Sequence, residues 1–181
     1  MNRFQRLQKE VRGLRAWAEP IPKELITELE KERRKYELLE KEKHDLDLVL
    51  RAWRTASSST ARDRHLKFLT ELYRVATKWE RSTRCGWISK IIQRKYGLTQ
   101  RVGGLHDLLL RLPVYGSNVD RRIRHRWHCI IRLCRAFDVQ PDKLVDLVRR
   151  CGGINAAARR WHDIRQLHPR RKTHSRPHRQ G

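Results

Sequence analysis

Residues 118–137 read NVDRRIRHRWHCIIRLCRAF, and the order of apolar and basic residues there leaves the backbone little choice. Val119, Ile123, Trp127, Ile130, Ile131, Cys134 and Phe137 recur mostly at steps of three and four. At about 100° per residue they share one arc of an α-helix, the arc that faces a core. Arg121, Arg124, His125, His128, Arg132 and Arg135 fall on the opposite arc, and after Asp120 no carboxylate accompanies them. Like charges one turn apart repel by roughly 0.2–0.5 kcal/mol per pair, so ordinary solvated faces mix signs. A face of one sign is expected to be kept for an anionic partner, and nucleic acid fits best.

The same spacing runs through the rest of the chain. Phe4, Leu7, Val11, Leu14 and Ala18 predict a helix over 2–18, ended by Glu19-Pro20-Ile21-Pro22 because proline lacks a donor and restricts its predecessor. Leu66, Leu69, Leu72, Tyr73, Ala76 and Trp79 form an apolar stripe. Trp87, Ile88, Ile91, Ile92 and Tyr96 form another, stopped at Gly97 by a left-handed cap. Thr99 is a candidate cap for a helix through Leu105, Leu108, Leu109 and Leu112; a turn at 113–116 follows, with Ser117 or Asn118 capping the central helix. Pro141 opens a short helix through Leu144, Leu147, Val148 and Cys151, ended by Gly152-Gly153, and Asn155 is expected to cap a last helix over 156–167. No alternating β-branched run occurs, so the expected class is all-α. Trp53, Trp79, Trp87, Trp127 and Trp161 fall at or beside apolar positions and are expected to anchor the core, with Trp161, among Arg159, Arg160 and His162, the candidate exception for stacking on bases.

Over residues 25–53 the heptad positions read Leu25, Leu29, Glu32, Tyr36, Leu39, Lys43, Leu46, Leu50 and Trp53, flanked densely by Glu and Lys. That pattern predicts a coiled-coil seam, either a homodimer or a hairpin with the first helix, with Glu32 and Lys43 setting register. The expected dimerisation residues are Leu25, Leu29, Tyr36, Leu39, Leu46, Leu50 and Trp53. The small polar run Thr55-Ala56-Ser57-Ser58-Ser59-Thr60 is the expected hinge. The organisation predicted is an assembly region over 1–54, the hinge over 55–60, a small basic helical bundle over 61–167 and a disordered basic arm over 168–181.

Charge divides along the same line. The chain holds 43 Lys and Arg against 20 Asp and Glu, net +23. Residues 1–54 hold 14 basic against 11 acidic, and the remainder 29 against 9. Of those 29, 23 are arginine, whose planar fork suits phosphates and base edges. Arg170, Arg171 and Lys172 in the terminal arm are expected to follow a phosphate backbone. The expected function is non-enzymatic binding of nucleic acid, duplex DNA over RNA, by a homodimer. The alternatives are an RNA-binding or ribosome-associated factor, or an adaptor that recruits a protein partner through the coiled coil.

Base reading is expected from the pair of short helices joined by Gly152-Gly153-Ile154, an arrangement that suits a helix-turn-helix. Asn155, Arg159, Arg160, His162 and Arg165 would then meet the DNA, and the alanines at 156–158 would permit close approach to a neighbouring helix or to DNA. GGINAAARRW, about ten residues, resembles the opening of the helix-turn-helix in Fis-type bacterial DNA-binding domains. That family continues into a second helix, whereas here HPRRKTHSRPH follows shortly, so the resemblance implies only the Gly-rich entry and the Ala-Ala-Ala-Arg start.

Other functions are disfavoured. His125, His128, Cys129 and Cys134 invite a zinc reading, yet on one helix the histidines are expected on the basic side and the cysteines on the apolar side, so no metal and no cofactor is predicted. The carboxylates of the basic region form no cluster able to hold Mg²⁺, and no Gly-rich phosphate loop is present. His162-Asp163-Ile164-Arg165 resembles the HxxR element of tyrosine recombinases, but Tyr36, Tyr73, Tyr96 and Tyr115 all precede it. Without CxxC pairing, Cys85, Cys129, Cys134 and Cys151 read as reduced, and most of them as small core residues. Arg3, Arg6, Lys9 and Glu10 interrupt any leader-like stretch, and no run reaches the roughly 18 apolar residues of a membrane span. The expected setting is the cytoplasm or nucleoid of a bacterium, or a nucleus.

Overall fold

The computed structural model describes residues 3–61, 63–98, 104–112 and 119–167. The fold is all-α, with no strand among the described residues. None of their helices is long and apolar enough to cross a membrane. The chain divides into two compact units, Met1–Ser117 and Asn118–Gly181.

The first unit contains α1 (Arg3–Ala16), α2 (Lys23–Tyr36), α3 (Glu40–Ser58), α4 (Arg64–Glu80), α5 (Cys85–Lys95) and α6 (Leu105–Arg111). Its spine is α4, which buries Leu66, Phe68, Leu69, Leu72, Tyr73, Val75, Ala76 and Trp79 and packs against α3, α5 and α6. Helix α1 lies on α2 through Phe4, Leu7 and Val11, and the Phe4 ring stacks on Tyr36 at 5.5 Å between centroids. Gly97 has φ 64°, the left-handed cap expected from the sequence, and Leu98 N–H donates to the Gln93 carbonyl at 2.9 Å to close α5. Trp87 departs from its expected core role: it is 40% exposed, with the Lys90 ammonium 5.3 Å from its ring centroid.

The heptad seam does not form one helix. Helix α2 stops at Tyr36, Glu37 is extended at φ −123° and ψ 144°, and α3 restarts at Glu40. No Gly or Pro marks this break; Arg84 explains it. Its guanidinium donates to both carboxylate oxygens of Glu42, at 2.9 and 3.1 Å, and to the carbonyls of Glu37, at 3.0 Å, and Arg34. Leu39 N–H also donates to Glu42, at 2.8 Å. Two carbonyls that a continuous helix would use internally are thus satisfied from outside, as is the first turn of α3.

The other half of the seam packs within the chain. Leu46 is 4% exposed, the Trp53 ring meets Phe68 edge-on at 5.3 Å, and Asp45 accepts from Lys78 Nζ at 2.8 Å and Trp79 Nε1 at 3.0 Å. Glu32 is buried and paired with Lys35, while Lys43 is exposed and pairs with Glu40 at 2.6 Å. Leu25, Leu29, Tyr36, Leu39 and Leu50 are half-buried. Within the expected hinge, α3 continues through Ser58, with the Ser57 and Ser58 hydroxyls donating to the Arg54 carbonyl at 2.9 and 3.1 Å, and Ser59 is extended. Helices α3 and α4, on either side of that run, pack together in one unit.

The second unit contains α7 (Arg121–Ala136), a 3-10 turn (Pro141–Lys143), α8 (Leu144–Arg150) and α9 (Ile154–Leu167). Asp120 caps α7, its carboxylate accepting from Arg122 N–H at 2.8 Å. Asn118, Ser117, Thr99 and the turn at 113–116 lie outside the described residues. Asn155 is not a cap but sits in the first turn of α9, where Gly153 supplies the carbonyl for Ala157 N–H at 2.9 Å. Phe137, expected in the core, is 54% exposed, because α7 ends at Ala136 and Asp138 turns the chain with φ 46°.

Candidate nucleic-acid interface

Helix α7 is buried over more than one arc. Trp127, Ile130, Ile131 and Cys134 form the apolar side legible in the sequence, while Cys129 and Leu133 are buried as well. Helix α9 lies along α7, and Ala157 and Ala158, 0% and 5% exposed, let the two backbones approach closely. Ala158 also borders the cleft described next. Helices α8 and α9 follow one another through Gly152 and Gly153, at φ 88° and 105°, and α7 is the larger neighbour of α9.

This packing opens a cleft of about 640 Å³ between α7 and α9. Arg121, Arg122, His125 and Arg126 line it from α7; Asn155, Ala158, Arg159 and His162 line it from α9. Among the described residues no carboxylate is in the lining. Burial, followed by the neighbouring charges of His162, His128, Arg132 and Arg121, pulls His125 below the usual imidazole range. The arginine guanidiniums stay charged near neutral pH and dominate the field of the cleft.

The sequence candidates therefore separate. Arg121, His125, Asn155 and Arg159 converge on the cleft. Arg160 lines a different hollow, beside Arg150, Cys151 and Asp163. Arg132, Arg135 and Arg165 are exposed, and Arg124 and His128 are half-buried; none of these five lines the cleft. Arg170, Arg171 and Lys172 lie outside the described residues. Arg122 and Arg126 were missed by the single-face reading, although as an i, i+4 pair beside Arg121 and His125 they form the adjacent ridge of the same helix.

The floor of the cleft corrects the expected separation of cysteine from histidine. His125 and Cys129 are four residues apart, only about 40° around a helix, and His125 Nε2 lies 3.6 Å from Cys129 Sγ. His162 comes across from α9, its Nε2 3.3 Å from His125 Nε2 and 3.5 Å from Cys129 Sγ. The two imidazole rings stack with centroids 5.3 Å apart. Burial pushes the Cys129 thiol up, opposed by the charges of Arg132 and Arg165. Cys134, more deeply buried, is pushed up to about 12 and stays a protonated core residue.

Comparison with known proteins finds no matching family model, no similar curated protein and no similar solved structure.

Proposed function

We propose that the unit beginning at Asn118 binds nucleic acid, duplex DNA in preference to RNA, by drawing a phosphate backbone against the cleft between α7 and α9. The observation that carries this reading is the convergence of Arg121, Arg122 and Arg126 from one helix and Arg159 from another on a surface lined by no carboxylate. Guanidiniums so placed neutralise phosphates and release condensed counterions, the main source of affinity for a polyanion. Composition agrees, since residues 118–181 hold 17 Lys and Arg against 5 Asp and Glu. Asn155 and Arg159 stand one turn apart on α9 with their side chains exposed. They are the types that pair bidentately with adenine and guanine edges, so α7 would position the backbone and α9 would read bases. The role is binding without catalysis.

Dimerisation through residues 25–53 is not part of this reading, because Leu46 and Trp53 pack inside the first unit. The test is fluorescence anisotropy with random duplex DNA, single-stranded DNA and hairpin RNA across a salt series. A steep salt slope with a preference for duplex DNA is expected. Equal, weak binding to all three that vanishes near ~150 mM salt would reject the reading, and a preference for the hairpin would move it to RNA.

A further inference from the structure

We propose that His125, Cys129 and His162 form a binding site for a single zinc ion, with water completing a tetrahedron. A tetrahedral ion bonded at about 2.0–2.1 Å to two imidazole nitrogens and at about 2.3 Å to a thiolate requires about 3.3 Å between the nitrogens and about 3.6 Å from each nitrogen to the sulfur. The three separations are 3.3, 3.6 and 3.5 Å. The ligand atoms thus already form one face of the coordination tetrahedron.

Each pair taken alone is within hydrogen-bonding reach, but the three ligand atoms are also mutually close enough for one ion to hold all of them. Two nitrogens and a sulfur are the donor set of a borderline-soft ion such as zinc rather than of magnesium or calcium. Among the described residues this is where His, Cys or acidic side chains converge with metal-ligand spacing.

The fold holds the ligands firmly. His125 and Cys129 sit on successive turns of α7, and the buried Ala157 and Ala158 bring α9 near enough for His162 to reach them. Binding releases the Cys129 thiol proton to solvent, and the divalent ion with one thiolate and two neutral imidazoles leaves a site of net charge +1. Because His125 is exposed, the fourth position is open to water. An ion there clamps α9 to α7 whether or not the cleft binds a polyanion.

The test uses the full chain, freed of metal under reducing conditions, and titrated with Co²⁺ and then Zn²⁺. Expected are one Co²⁺ per chain with tetrahedral visible bands and a thiolate-to-cobalt charge-transfer band, displacement by Zn²⁺, and a rise in the thermal midpoint with zinc. Cys129→Ser should abolish the charge-transfer band and weaken binding by more than the roughly 10–100-fold typical of an outer-shell loss. His125→Gln, at an exposed position, gives a second ligand deletion that is expected to fold, and His44→Gln serves as the control, expected to bind as the parent does. Binding that survives both ligand deletions, or cobalt spectra without the thiolate band, would overturn the site and assign the metal to histidines elsewhere, such as His168, His174 and His178. Absence of binding would overturn it outright.

Discussion

Arg84 reaches across 42 residues to grip both oxygens of Glu42, at 2.9 and 3.1 Å, while two further donors go to the carbonyls at the end of α2. Glu42 is 2% exposed. One guanidinium therefore ends one helix, starts the next and ties both to the segment before α5.

Removing this guanidinium leaves a buried carboxylate without its partner, so Arg84→Ala should destabilise the first unit by about 3–5 kcal/mol. Arg84→Lys should recover little, since an ammonium cannot reproduce the bidentate fork. Urea unfolding followed by circular dichroism measures both, and a loss under ~1 kcal/mol for the alanine variant would mean the pair is incidental.

Leu46 distinguishes packing inside the chain from a seam between chains. Leu46→Ala should cost about 2–5 kcal/mol, as for other buried leucines. Its thermal midpoint should fall by the same amount at every protein concentration. A shift that grows on dilution would restore the intermolecular seam.

At the cleft, replacing Arg121, Arg122, Arg126 and Arg159 together with Gln should lower the slope of log affinity against log salt by about 3–4, roughly 0.9 for each phosphate that is no longer neutralised. Arg132→Gln with Arg135→Gln, on the exposed arc away from the cleft, should change it by less than about 1. Equal effects per arginine would mean that charge acts without regard to place.

Two glycines should respond oppositely to alanine. Gly153 has φ 105° at the entry to α9, so Gly153→Ala should lower stability by about 1–3 kcal/mol. Gly13 lies within α1, and an added Cβ there meets nothing within 4 Å, so Gly13→Ala should raise stability by about 0.5–1 kcal/mol. Melting both variants beside the parent protein gives the signs, and a stabilising Gly153→Ala would contradict the turn geometry.

Much of the helical content was legible because its cause is local. The apolar stripes of α4, α5 and α7 follow from 3.6 residues per turn, Gly97 closes α5 with the φ that glycine favours, and Pro20 and Pro22 separate α1 from α2. The basic character of α7 and the Asn155–Arg159 pair were also present in residue order.

What the sequence by itself determined, then, was where helices are favoured and where arginine is concentrated, since propensity, periodicity and charge belong to neighbouring residues. Only the tertiary structure decided that the 25–53 stretch breaks at Glu37, because the group that satisfies its freed carbonyls is Arg84, far along the chain. Only it decided that Leu46 is buried within the first unit, and that Arg122 and Arg126 join Arg159 while Arg132 and Arg135 do not. The meeting of His162 with His125 and Cys129 is of the same kind: no spacing within one helix encodes it, because it depends on two alanines in α9 allowing that helix to lie close against α7.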